Sequence, residues 1–194
     1  MDVKINHEYL KLENQTEIQK TFTKNTPPIA ILSNFFDKET YTKLKTKIER
    51  QRFEKVTDVL HRKYTRSNVP KILNKFFEEN KEFRTLINVI LKERIKHIDA
   101  ITYKFTWKNY TIINDDTIEE PGFDMCINFT DNWDEEAGGS LVYVDGSGDF
   151  TKIPNKGNTL IIVKRDENTH KFIKYVNHKA QEKDRFFVLG NIHV

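Results

Sequence analysis

The sequence holds a single cysteine, Cys126, so no disulfide can form within the chain, and an intracellular, reducing setting is expected. No run of about 18 apolar residues occurs, which excludes a membrane-spanning helix of the usual kind. The opening stretch, residues 1–20, is polar and lacks the apolar centre of a secretory leader. There is no internal repeat, no low-complexity tract and no disorder-type bias. Of the 194 residues 37% are hydrophobic and 12% aromatic, enough to build one core. Lys and Arg are absent from residues 111–150, which carry 11 Asp and Glu, while residues 41–110 carry 18 Lys and Arg against 8 acids. The net charge of +3 hides this division. An acidic block suits a basic partner; the basic half reads more simply as solvated helix faces.

Apolar spacing divides the chain into a helical half and a strand-rich half. Residues 1–26 form an irregular lead-in. Ile29 to Leu32 reads as a short buried strand after Pro27-Pro28. Asp37 is a fitting N-cap for a helix running to about Arg52, with Leu44 and Ile48 on one face. A second helical stretch begins near Ser67-Asn68, carries Pro70 in its first turn, is punctuated at Asn80 and runs to about Ile95. From about Asp99 the residues alternate and become β-branched and aromatic. Strands are expected at Ile101–Trp107, Tyr110–Ile113, Phe123–Phe129, Leu141–Val144, Thr159–Val163, Lys171–Val176 and Phe186–Leu189, separated by Gly-, Pro- and Asn-rich turns. The expectation is an α+β fold with helices on one side of an antiparallel sandwich or barrel. One domain over 27–194 is expected, helical over about 37–96 and β over about 99–193.

The segment Asn114-Asp115-Asp116, followed by a strand and then by Trp133-Asp134-Glu135-Glu136-Ala137-Gly138-Gly139, resembles the prolyl-hydroxylase-like branch of the 2-oxoglutarate/Fe(II) oxygenases. More narrowly, it is similar to the group whose eukaryotic members hydroxylate a proline of a small-subunit ribosomal protein. In that group a His-Asp-Asp motif precedes a strand, a loop with Trp, acids and Gly-Gly, and another strand. Asn158 to Val163 resembles the strand before the family's distal histidine, which His170 matches, and Arg185 to Gly190 the strand bearing its cosubstrate-gripping base. The resemblance implies a double-stranded β-helix, of jelly-roll or cupin type. It implies Fe(II) held by Asn114, Asp116 and His170, and 2-oxoglutarate held by Arg185 with Tyr103 and Tyr110 nearby. It also implies ascorbate as reductant and a prolyl protein or peptide substrate, which the acidic block would allow to be basic.

The chemistry agrees with that layout. A non-haem iron oxygenase needs two imidazoles and a carboxylate on one face of the metal. Residues two apart on a strand point the same way, so 114 and 116 can reach one ion. A guanidinium offers a two-pronged donor to a carboxylate. Asn114 is the departure, because the family has His there and an amide oxygen is a weak neutral ligand. Three readings stay open: Asn114, Asp116 and His170 hold iron weakly; another side chain such as His97 with Asp99, or His178, fills in; or the fold persists as a binding module without chemistry. The distance from His170 to Arg185 is long for the family, implying an enlarged hairpin around Asn177 to Ala180, and Asn191 stands where the family often has Trp. Alone, each of these residues has an ordinary structural explanation, such as Asp116 capping a turn. Nucleic-acid binding through the basic 41–110 surface, with Trp107 and Tyr110 beside it, is supported by no recognised motif.

Overall fold

A computed structural model describes residues 2–58, 60–113 and 120–194. Asn114 and Asp116 lie outside the described residues. Eleven strands and four helices are seen among those described. The larger sheet contains, in spatial order, β1 (Ile29–Ser33), β9 (Thr159–Arg165), β6 (Gly122–Asn128), β11 (Arg185–His193), β4 (His97–Phe105), β3 (Arg62–Asn68) and β2 (Glu54–Asp58), with β5 (Tyr110–Thr111) also on β3. The smaller sheet is β10 (His170–Ile173), β7 (Leu141–Val144) and β8 (Phe150–Lys152). Every pairing is antiparallel.

Strand alternation divides the core in two. On β6, β9 and β11 the residues Met125, Ile127, Leu160, Ile162 and Val188 face the helices. Their neighbours Cys126, Ile161, Val163 and Phe187 face the smaller sheet, where Leu141, Tyr143 and Ile173 meet them. Both faces of the central strands are thus buried, which is why 159–163 reads as an unbroken apolar run. Helices on one side and a small sheet on the other form the expected double-stranded β-helix with a helical layer.

The caps explain the helix limits. Asp37 accepts from Thr40 N at 2.7 Å and starts α2 (Lys38–Glu49), as its sequence position predicts. Asn80 ends α3 (Lys71–Glu79) and begins α4 (Lys81–Leu91), its side chain accepting from Phe83 N at 2.8 Å. The resulting bend brings Phe76, Phe77 and Phe83 together with centroids 4.8–5.9 Å apart. α4 ends at Leu91, short of Ile95, because Lys92 takes a left-handed conformation.

Two expectations are corrected. The lead-in is ordered: a short 3-10 turn (His7–Leu10) and α1 (Leu12–Lys24) precede β1, and Val3, Ile5 and Phe22 enter the helix-side core. Its signal was weak because Phe22 is the only buried apolar side chain on α1. The stretch over 37–96 is not wholly helical, since β2 and β3 form a hairpin within it. Of their twelve residues only Tyr64 is buried, stacked on Phe105 at 5.5 Å, so charge masked the alternation.

Asn158 locks the helical layer to the barrel. Its backbone takes φ 52°, its Oδ1 accepts from Phe36 N and its Nδ2 donates to Phe36 O, both at 2.9 Å. Its own carbonyl accepts from Phe35 N at 2.9 Å. Asn158→Ala strands two buried backbone groups and is expected to cost roughly 2–4 kcal/mol in urea unfolding at an unchanged m-value. A change below about 0.5 kcal/mol would remove this lock from the account.

Candidate functional site

The space between the sheets holds charge as well as apolar side chains. Asp124, 1% exposed, projects from β6 into it. Its Oδ1 accepts from Arg165 Nε of β9 at 2.9 Å, and its Oδ2 from Lys171 Nζ of β10 at 3.0 Å and from the Tyr143 hydroxyl of β7 at 2.8 Å. Arg165 also donates to Glu120 O at 2.6 Å. One carboxylate therefore ties two strands of the larger sheet to two of the smaller. Burial pushes the Tyr143 hydroxyl well above its usual range, and the Asp124 charge adds to that. Burial also pushes the neighbouring Cys126 thiol up to about 12.

A cavity of about 190 Å³ lies beside this cluster. Tyr64, Tyr103 and Leu189 line it from the larger sheet, and Leu141, Lys171 and Ile173 from the smaller. Its volume falls below the ~300–1,000 Å³ of drug-sized ligand pockets and suits a single side chain or a very small ligand. A larger, open hollow of about 1020 Å³ lies elsewhere, between the N-terminal segment and the loops around Asp131 and Gly157, and of the predicted site residues that are described, Tyr103, Tyr110, His170 and Arg185, none lines it.

Arg185 is fully enclosed. Its guanidinium lies 4.2 Å from the centre of the Phe187 ring and donates to Asn128 Oδ1 at 2.9 Å and to Gly139 O. Among the described residues its Nε has no hydrogen-bond partner. Burial lowers its pKa to about 10, so it stays charged at neutral pH. The Gly138-Gly139 pair serves this contact. Both residues have positive φ, and a Cβ on Gly138 would come within 2.0 Å of Tyr175 O. The Trp133 indole donates to Gly138 O at 2.8 Å and holds the turn in place. Asn128 was not singled out in the sequence, where a strand-end Asn carries no signal for an internal arginine partner.

The other predicted residues divide. Tyr103 borders the cavity and stacks on Phe187 at 5.2 Å. Tyr110 does not border it: Thr111 does, its hydroxyl accepting from Ile173 N at 2.7 Å, while the Tyr110 ring lies beside Tyr175 at 6.3 Å. His170 lies in β10. It opens β10 opposite Val144, whereas Lys171 lies opposite Tyr143 and Ile173 opposite Leu141. Lys171 and Ile173 face the interior, so His170, one residue away, belongs to the outer face. Sequence alone could not decide between adjacent His170 and Lys171, because a one-residue slip exchanges the two faces. His178 sits in a 3-10 turn (His178–Ala180) in the β10–β11 connection, consistent with the enlarged hairpin. Much of the acidic block is engaged within the chain: Asp131 with Tyr41 and Lys45, Glu135 with Lys152, Glu136 with Lys179.

Tested against the groups that the resemblance implies, the described residues fit in part. The orphan Nε of Arg185 is a donor suited to a carboxylate. Among the described residues the imidazole that borders the interior cavity is His61, which lies beside Asp58, and Lys171 lines the cavity from β10. No step through iron is derived from this arrangement.

Two outcomes follow. Asp124→Asn leaves buried cations undercompensated and is expected to cost about 3–5 kcal/mol in denaturant unfolding; an unchanged midpoint would show that the cluster does not join the sheets. Cys126 is expected to resist a thiol-alkylating reagent at about pH 8 until the chain unfolds, since a buried thiol above its usual pKa offers little thiolate. Rapid labelling of the native chain would contradict the closed interior.

Residues 54–194 match the family described as oxoglutarate and iron-dependent oxygenase degradation C-term. Mouse "Prolyl 3-hydroxylase OGFOD1" is 33% identical over 86 residues, 42% of this chain but 16% of that protein. The chain thus aligns to about a sixth of this curated relative. A Pseudomonas putida prolyl-4-hydroxylase superposes with TM-score 0.71 at 10% identity, covering 92% of this chain and 98% of that one. A Trichoplax adhaerens prolyl hydroxylase, solved with a hypoxia-inducible-factor oxygen degradation domain peptide fragment, gives 0.68 at 11% identity over 95% and 94%. At such identities the structures show the fold, and no described helix is long and apolar enough to cross a membrane. By the match over 54–194 the chain belongs to the oxoglutarate and iron-dependent oxygenase degradation C-terminal family, within the prolyl-hydroxylase-like branch of the 2-oxoglutarate/Fe(II) oxygenases.

Proposed function

We propose that this chain serves 2-oxoglutarate- and Fe(II)-dependent hydroxylation of a prolyl residue in a protein, with a proline-bearing polypeptide as its ligand. The observation that carries this reading is the family match over 54–194, together with curated relatives named prolyl 3-hydroxylase. Fe(II) and 2-oxoglutarate, with ascorbate as reductant, would supply the oxidising chemistry. In this reading Asn114 and Asp116 are the chain's ligands toward the metal, and Arg185 faces the cosubstrate carboxylate with its unused Nε. The aromatic walls at Tyr64 and Tyr103 offer an apolar slot for a small ring, and the remaining exposed acids favour a basic segment. The single, buried Cys126 suits an intracellular setting.

A second reading is favoured by one observation. Lys171, next to His170 in β10, faces the interior and is paired to Asp124. On that reading the fold holds a polypeptide without oxidising it.

One experiment separates the two. The purified chain is given Fe(II), ascorbate, 2-oxoglutarate and basic proline-containing peptides, and succinate and peptide binding are followed together. Catalysis predicts peptide-stimulated succinate that Asp116→Ala abolishes. No succinate alongside saturable peptide binding would overturn catalysis and establish the second reading, and the absence of both would overturn the proposal.

A further inference from the structure

His97 and Asp99 open β4, and His193 lies directly opposite His97 near the end of β11. Residues 97 and 99 share a face of β4, and cross-strand partners share a face as well, so all three side chains rise from one side of the sheet. The two imidazoles stack 4.1 Å apart at 7°. Both turn Nε2 to the same oxygen, Asp99 Oδ2, at 3.4 Å from His97 and 3.1 Å from His193. All three ligand atoms lie within 4.8 Å of one another. A tetrahedral metal with ligands at about 2.0–2.2 Å separates neighbouring donors by about 3.3–3.5 Å, close to the two imidazole–carboxylate distances, and the stacked rings would splay for both Nε2 lone pairs to meet one ion.

The surroundings suit a cation. The nearest basic side chain in sequence, Lys96, sends its Nζ to Val194 O at 2.8 Å rather than into the cluster. Asn191 lies opposite Asp99 on the same face of the sheet. The side chains are 51%, 71% and 44% exposed, so an ion could enter and keep water on its open positions. Asp99 lies four residues, about 13 Å of strand, from Tyr103 at the cavity, so this place is separate from the interior cluster.

We propose that His97, Asp99 and His193 form a surface site for a divalent first-row transition metal, a set of two imidazoles and one carboxylate that zinc accepts. The site is independent of the hydroxylation reading and lies on the sheet face that also lines the cavity. There a bound ion would present open positions to a carboxylate, imidazole or water of whatever approaches the cavity.

The test uses tag-free, chelator-stripped chain in the Asp116→Ala background, so that zinc binding through the predicted iron ligands does not contribute. Calorimetric titration with Zn²⁺ is expected to show one ion per chain with micromolar affinity. His193→Ala should weaken it at least ~10-fold with an unchanged far-ultraviolet spectrum. If that variant loses structure, Asp99→Asn, at the most exposed member of the cluster, decides instead. No saturable uptake in the micromolar range, or uptake that neither substitution weakens, would overturn the proposal.

Discussion

A carboxylate taken out of water between two sheets must be compensated by partners on both sides, and Asp124 meets that demand with an arginine and a tyrosine, a lysine and the chain's own packing. Four strands, β6, β7, β9 and β10, converge on its two oxygens. Apolar contact alone would allow the smaller sheet to slide over the larger, because apolar packing has no direction. The hydrogen bonds to Asp124 allow one alignment. They fix which side of β10 turns inward, and with it which side chains reach the cavity.

A second polar group does the same work farther along the interior. Arg185 is enclosed at the start of β11 and held by Asn128 and by the carbonyl that the Gly138-Gly139 turn presents. The turn exists because only glycine takes its positive φ so close to the Tyr175 backbone, and Trp133 braces it. Trp133 and the glycines, read from the sequence in one segment, and Arg185, read in a separate strand, are in the structure one contact network. Its direct product is an enclosed cation with a spare donor.

The fold was legible because its signals are repeated along the chain. Central strands such as 159–163 are apolar on both faces, the turns carry Gly, Pro and Asn, and caps such as Asp37 and Asn80 mark helix limits. What escaped was what lacks a pattern. The β2–β3 hairpin buries one side chain, Tyr64, and α1 buries Phe22 among polar neighbours. The order of the candidate site residues was legible along the chain, whereas which of two strand neighbours turns inward was not. Tyr103 borders the cavity and Arg185 is enclosed. Tyr110 and His170 are each one residue from the side chain that faces in, Thr111 and Lys171, because neighbouring residues on a strand differ in nothing but side. The His97–Asp99–His193 cluster needed the pairing of β4 with β11, which joins residues almost a hundred positions apart.

The inward side of β10 is thus the claim on which the account most depends. A crystal structure of the chain grown anaerobically with Mn(II) and 2-oxoglutarate measures it directly. The account predicts Lys171 Nζ within hydrogen-bonding distance of Asp124 between the sheets, with the His170 ring on the outer face. An imidazole of His170 turned inward onto the metal, with Lys171 in solvent, would contradict it.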